Sequence, residues 1–286
     1  YAPPALHPEI LFEARGNDEQ MYGLSLAPAG DVNLDSIPDL VIGAPYYSNS
    51  ERGQVYVVSG QPSQVSGLAV NLCITTSFQK GDLFGYHVGN VGDINSDQVD
   101  DYVVSSPNST DGITDPSQAS VWDRSGAIHS YRGGVCHGVG GASKFQDIYA
   151  EVDYGPTFKG SRFGEEVMSL KPNTEQPDLD FDGFPDLLAY APRVDAYYMD
   201  DPSDPTSIVT VDRAGAFVNL LSYPVSGIVL DFFIDTIFTQ QSLFIDYLPE
   251  FIPMANERHG SQLEYLGKFS SGGFQREVVA VSTPWD

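Results

Sequence analysis

Asp31 to Asp39 reads DVNLDSIPD. The same nine-residue pattern returns as DINSDQVDD from Asp93 to Asp101 and as DLDFDGFPD from Asp178 to Asp186. Each copy sets an oxygen-bearing side chain at positions 1, 3, 5 and 9. A hard cation of calcium size asks a short, flexible loop for such converging oxygens. Each copy runs straight into an apolar segment closing in proline: LVIGAP, YVVSSP and LLAYAP. Three loops in one context make an internal repeat, whose units must stack on one another to bury their faces.

Around the first loop, 22–29 (YGLSLAPA), 40–44, 53–59 (GQVYVVS) and 68–75 (LAVNLCIT) read as strands separated by Gly, Pro, Asn and Ser. The unit is thus a four-stranded antiparallel sheet with the acidic loop between its first two strands. The second unit opens at Phe84-Gly85, with strands at 101–105 and 126–131 and a fourth placed at 145–152. The third opens at Phe163-Gly164, with strands at 187–191 and 215–222. Its connection 193–210 reads as a long acidic loop, and periodicity does not assign 225–253. The fourth unit opens at His259-Gly260 with strands at 261–265 and 278–281, and its loop GKFSSGGFQRE lacks the acid series. Residues 1–21 stand apart as an N-terminal segment whose Ile10–Ala14 reads either as a closing strand or as tail.

The motifs as a set resemble the FG-GAP repeat of integrin alpha-subunit β-propellers. The match runs through Tyr22-Gly23 with Gly43-Ala44-Pro45, Phe84-Gly85 with Ser105-Ser106-Pro107, and Phe163-Gly164 with Tyr190-Ala191-Pro192; His259-Gly260 with Ser282-Thr283-Pro284 departs in its loop. The resemblance implies an all-β propeller of four-stranded antiparallel blades, at about 22–83, 84–162, 163–258 and a partial 259–286. It also implies calcium in the loops. The family's ring has seven blades, so the chain reads as a fragment, as a small closed ring, or as an open arc completed by another chain.

The first ion site is assigned to Asp31, Asn33, Asp35, the carbonyl of Ile37 and Asp39. The second is Asp93, Asn95, Asp97, the carbonyl of Val99 and Asp101, and the third Asp178, Asp180, Asp182, the carbonyl of Phe184 and Asp186. Oxygen donors alone exclude a thiolate zinc site, and magnesium wants a tighter octahedron and keeps its waters. An EF-hand fails because its twelfth residue should be Glu, and here that place holds Ile42, Val104 and Ala189. The competing reading is three Asx-rich turns without an ion. About three structural calcium ions is the expectation.

The loops between strands two and three belong to the opposite rim, where Tyr46, Tyr47, Trp122, Tyr197 and Tyr198 read as exposed candidates for a protein or glycan ligand. An acid–Arg pair precedes each third strand, at Glu51-Arg52, Asp123-Arg124 and Asp212-Arg213, and reads as a lock between blades. A net charge of -25 in 286 residues argues against a nucleic-acid partner. No apolar run is long enough to span a membrane. Cys73 and Cys136 read either as a disulfide or as two buried thiols, and Asn108 heads a glycosylation triplet. The five histidines meet no nucleophile motif, so no catalysis is expected. The readings are an extracellular adhesion or assembly module, a lectin, and a non-catalytic part of a secreted enzyme or surface filament.

Overall fold

Alternating apolar and polar residues flank each acidic loop, and in the computed structural model they pair as antiparallel sheets. The structure describes residues 14–16, 19–48, 51–60, 71–77, 79–95, 97–110, 124–134, 138–139, 144–150, 158–168, 178, 183–194, 196–199, 208–211, 215–225, 229–239, 263–271 and 274–281. The first blade is β1 (Ser25–Gly30), β2 (Asp39–Ala44), β3 (Gln54–Val58) and β4 (Asn71–Thr76), hydrogen-bonded in chain order. The second is β5 (Val88–Gly92), β6 (Asp101–Ser106), β7 (Ala127–Tyr131) and β9 (Lys144–Tyr149). Between β7 and β9, the short β8 (Gly138–Val139) leaves this blade and pairs in parallel with β4, where Cys73 faces Gly138. Cys73 is 1% exposed and disulfide-bonded. The chain's other cysteine, Cys136, lies outside the described residues.

The third blade is β10 (Glu166–Val167), β11 (Leu187–Ala191), β14 (Ala216–Val225) and β15 (Val229–Thr239). Inside its second connection sits a hairpin of β12 (Ala196–Met199) and β13 (Ile208–Val211). That stretch was expected to be a long acidic loop, and the correction follows from its ends: AYYM and IVTV are β-formers, with an acidic run between them. The last pair, β16 (Leu263–Ser271) and β17 (Phe274–Val281), carries strand through most of GKFSSGGFQRE, which was read as loop. Without the acid series to hold an ion, the two strands continue their ladder to the pair Ser271–Phe274. Residues 10–13 of the proposed closing strand fall outside the described residues.

The core lies between blades. Val41, Val55 and Val57 of the first meet Phe84, Val88, Tyr102 and Val104 of the second. Val103, Ile128 and Ile148 of the second blade cluster with Phe163, Leu187, Ala189, Val218 and Leu220, which belong to the third blade and its approach. With a neighbour on each side, β6 and β7 are buried at every residue. β1 instead alternates, and Leu26 is 60% exposed. Among the described residues, no helix is long and apolar enough to cross a membrane.

Candidate ion loops and the opposite rim

In the first loop the Asp35 amide donates to Asp31 Oδ1 (2.8 Å) and Asn33 Oδ1 (3.0 Å), and the Ser36 amide donates to Asp31 Oδ2 (2.7 Å). The Ile37 amide donates to Asp35 Oδ1 (2.9 Å), and those of Val32 and Gly60 donate to Asp39 (both 2.9 Å). The second loop repeats the set bond for bond. Asp97 donates to Asp93 and Asn95, Gln98 to Asp93, Val99 to Asp97, and Ile94 and Gly133 to Asp101. In the third, Asp180 and Asp182 lie outside the described residues, while Gly183 donates to Asp178 Oδ2 at 3.1 Å as Ser36 and Gln98 do to Asp31 and Asp93.

These bonds are those of Asx turns, and they leave each carboxylate oxygen a second lone pair. Among the described residues no three acidic or imidazole side chains gather into a metal-holding cluster. Two observations nonetheless fit an oxygen-seeking cation. Among the described residues, Asp178 Oδ1 is buried without a hydrogen-bond partner. Asp101 is 0% exposed, and burial pushes its carboxyl up from 3.8 to about 8 although Gly133 and Ile94 both donate to it. Asp39 is raised for the same reason. A nearby cation would favour the ionised form of both carboxyls. Lys268 of β16 also approaches Asp178 Oδ2, at 3.8 Å.

Position six of each loop has a left-handed backbone: Ser36 at φ 68°, Gln98 at 73° and Gly183 at 93°. Nothing lies within 4 Å of a Cβ built on Gly183, so Gly183→Ala meets only the backbone cost. That substitution is expected to destabilise by about 1–2 kcal/mol in urea unfolding; no measurable loss would mean that the third loop does not hold this turn.

The strand-two to strand-three connections lie at the other end of the blades, since β1 meets β2 beside the acidic loop at Gly30–Asp39 and β2 meets β3 at the far end at Ala44–Gln54. On this rim an open cavity of about 460 Å³ is lined by Arg124, Arg162 and Arg193 together with Glu51, Tyr46 and Tyr86. Arg162 faces Glu165 Oε2 at 3.0 Å and lies 5.8 Å from the Tyr86 ring centroid. Tyr46 and Tyr47 are half-buried rather than exposed. Tyr197 and Tyr198 sit in β12 and not in a loop, and Trp122 lies outside the described residues. Asn108 also lines the cavity, at 8% exposure, so in the folded chain its amide is nearly closed to solvent.

The acid–Arg pairs are not in phase. Gly53 and Gly126 bridge Phe84 and Phe163 in the same way, which makes Glu51 the counterpart of Arg124 and Arg52 that of Ser125. What ties the blades here is backbone: the Phe84 amide donates to the Arg52 carbonyl (3.2 Å) and the Phe163 amide to that of Ser125 (2.9 Å).

Sequence reasoning also missed a buried chain of side chains. His129 Nδ1 meets Asp147 Oδ1 at 2.6 Å and its Nε2 meets Ser106 Oγ at 3.1 Å. The order Ser, His, acid is that of a nucleophilic triad. Ser106 is 0% exposed, however, so no substrate reaches its hydroxyl and the chain serves to fasten β6, β7 and β9. Burial raises the Asp147 carboxyl, but bonds from His129 and Lys144 more than reverse this and hold it well below the usual range. An acid depressed in the folded state stabilises above about pH 4, and that contribution drains away as the pH falls below it. Asp147→Asn is expected to cost about 1–3 kcal/mol at neutral pH and to flatten the acid limb of the stability profile. An unchanged acid limb would show that the contact is not formed.

The FG-GAP repeat model matches residues 22–58. Integrin alpha-7 from Homo sapiens is 36% identical over 95 residues, covering 32% of this chain and 8% of that protein. Integrin alpha pat-2 from Caenorhabditis briggsae is 48% identical over 44 residues, 15% of this chain and 4% of the relative. Integrin alpha-4 from Xenopus laevis is 30% identical over 125 residues, 43% and 11%. The chain carries an FG-GAP repeat and is similar over part of its length to integrin alpha subunits. The matches span only 4–11% of the lengths of these relatives.

Proposed function

We propose that this protein is a calcium-stabilised, extracellular binding module of the adhesion type, with no chemistry of its own. What carries the reading is the bond-for-bond repetition of the first two acidic loops in a chain related to integrin alpha subunits. Calcium would be held by Asp31, Asn33, Asp35, Asp39 and the Ile37 carbonyl, and by the matching sets from Asp93 to Asp101 and Asp178 to Asp186. Bound there, the ion would fix the hairpin between the first two strands of a blade. The oxygens stand at the turn, so the amide bonds pre-order the loop and the cation neutralises what they leave exposed.

The partner face is the opposite rim, for a protein or a glycan. Blade boundaries near residues 84, 163 and 259 belong to the same proposal, as does pairing of Cys73 with Cys136. The uncovered side of β1, with Leu24 at 49% and Leu26 at 60% exposure, suits a further blade supplied by this or another chain. Calcium titration by calorimetry tests the reading. About three sites are expected, and a stoichiometry near zero would leave the loops as turns.

A further inference from the structure

We infer that Lys268 is a built-in counter-ion of the third acidic loop, attracting its first carboxylate while the loop is empty and opposing a divalent cation that enters it. The inference rests on the reading of these loops as calcium sites and adds a residue that tunes one of them.

Strand register places Lys268. Gly30 stands opposite Asp39 and Gly92 opposite Asp101, each just past a register shift and each with a left-handed backbone, at φ 67° and 74°. The next residue in each case is the first aspartate of an acidic loop, Asp31 or Asp93. The pair β16 and β17 repeats this arrangement: Gly267 stands opposite Val278, just past a register shift, with φ 105°. Lys268 therefore takes the place of Asp31 and Asp93, and Val278 that of Asp39 and Asp101. Where the other loops begin and end on a carboxylate, the fourth unit carries an ammonium and an isopropyl group.

That ammonium reaches another blade's loop. Lys268 Nζ lies 3.8 Å from Asp178 Oδ2, the oxygen that also accepts from the Gly183 amide. The separation is too long for a hydrogen bond, so attraction between charges holds the pair. Among the described residues Asp178 Oδ1 has no hydrogen-bond partner, so one oxygen has the ammonium nearby while the other stays open to an ion. The third loop also has the greatest need of a counter-ion. Its position three is Asp180, where the others have Asn33 and Asn95, so it carries one more negative charge. Carboxylates gathered without a cation repel one another, and Lys268 offsets the extra one. Once a divalent cation is bound, the same ammonium repels it. One side chain thus acts in opposite directions on the empty and the loaded protein, which a purely structural lysine would not.

The test is a calorimetric calcium titration of the whole chain, with thermal melts in chelator, for the wild type, Lys268→Met and Lys268→Arg. Lys268→Met is expected to tighten one calcium site about tenfold and to lower the melting temperature of the chelated protein by about 1–2 °C. Lys268→Arg keeps the charge and should keep the wild-type titration. At high salt the gap between wild type and Lys268→Met should narrow. In an Asp178→Asn background, which removes a ligand of the third site, Lys268→Met should no longer tighten any site. A wild-type titration unmoved by Lys268→Met would overturn the inference, as would a tightening that persists beside Asp178→Asn or is shared by Lys268→Arg. Three sites unmoved by Lys268→Met would leave the calcium reading standing and sink this inference alone; no calcium uptake by the wild-type chain would sink both.

Discussion

Stripping calcium with a chelator is expected to lower the melting temperature by more than about 10 °C. A site filled at a hundredfold excess over its dissociation constant adds about 2.7 kcal/mol to the native state. At about 2–4 °C per kcal/mol for a domain of 150–250 residues, and somewhat less for this longer chain, three such sites exceed the threshold. The ion-free protein should also show an unusual pH dependence. Asp101 is raised from 3.8 to about 8 by burial, so between those values the folded protein holds a proton that the unfolded chain has lost. Stability contributed by that proton is complete below about pH 4 and is lost as the pH rises toward 8. Calcium reverses this by favouring the carboxylate, so the loaded protein should lose the decline. Asp101→Asn separates the two effects: it should remove the share of the decline that Asp101 contributes in the ion-free protein and remove one calcium from the titration. Identical melting with and without chelator across this pH range would refute the ion reading.

The blades were legible because the evidence for them recurs. A Gly after an aromatic, an acidic loop and a closing proline mark each of the first three units, and a misjudged strand in one is corrected by the other two. The Asx turns of the loops follow from the same pattern, since alternating Asp and Asn at fixed spacing dictates which backbone N–H each oxygen can reach. What escaped depends on contacts remote in sequence. Arg162 and Arg193 carry no local mark: one precedes Phe-Gly and the other follows Ala-Pro, and only stacking of the blades brings them to Arg124. The hairpin of β12 and β13 was hidden by the acidic residues between its strands. The acid–Arg pattern misled for a related reason. Sequence shows that an acid and an Arg precede each third strand, but only the pairing of Gly53 with Phe84 and Gly126 with Phe163 shows that the first pair is shifted by one residue.

That pairing supports the second large effect, the loss of fold expected from Gly53→Ala. Gly53 has φ 82°, and a Cβ there would stand 2.0 Å from the Phe84 carbonyl oxygen and 2.5 Å from its amide nitrogen. Both are backbone atoms of the segment leading into the next blade, so neither can step aside as a long side chain would. The left-handed backbone alone costs an alanine about 1–2 kcal/mol, and forcing the blades apart adds about 1–3 kcal/mol or more. Gly23 supplies the control. Its φ is 86°, it is the Gly of the first unit's Tyr-Gly, and nothing among the described residues lies within 4 Å of a Cβ built on it. Gly23→Ala therefore carries the backbone cost without the clash. Gly126→Ala, with the Phe163 oxygen at 2.2 Å, should behave as Gly53→Ala does at the junction of blades two and three. If all three substitutions lower the urea midpoint equally, the blades do not meet at these glycines. If Gly53→Ala and Gly126→Ala are costly while Gly23→Ala is mild, the interblade contact is rigid where the structure places it.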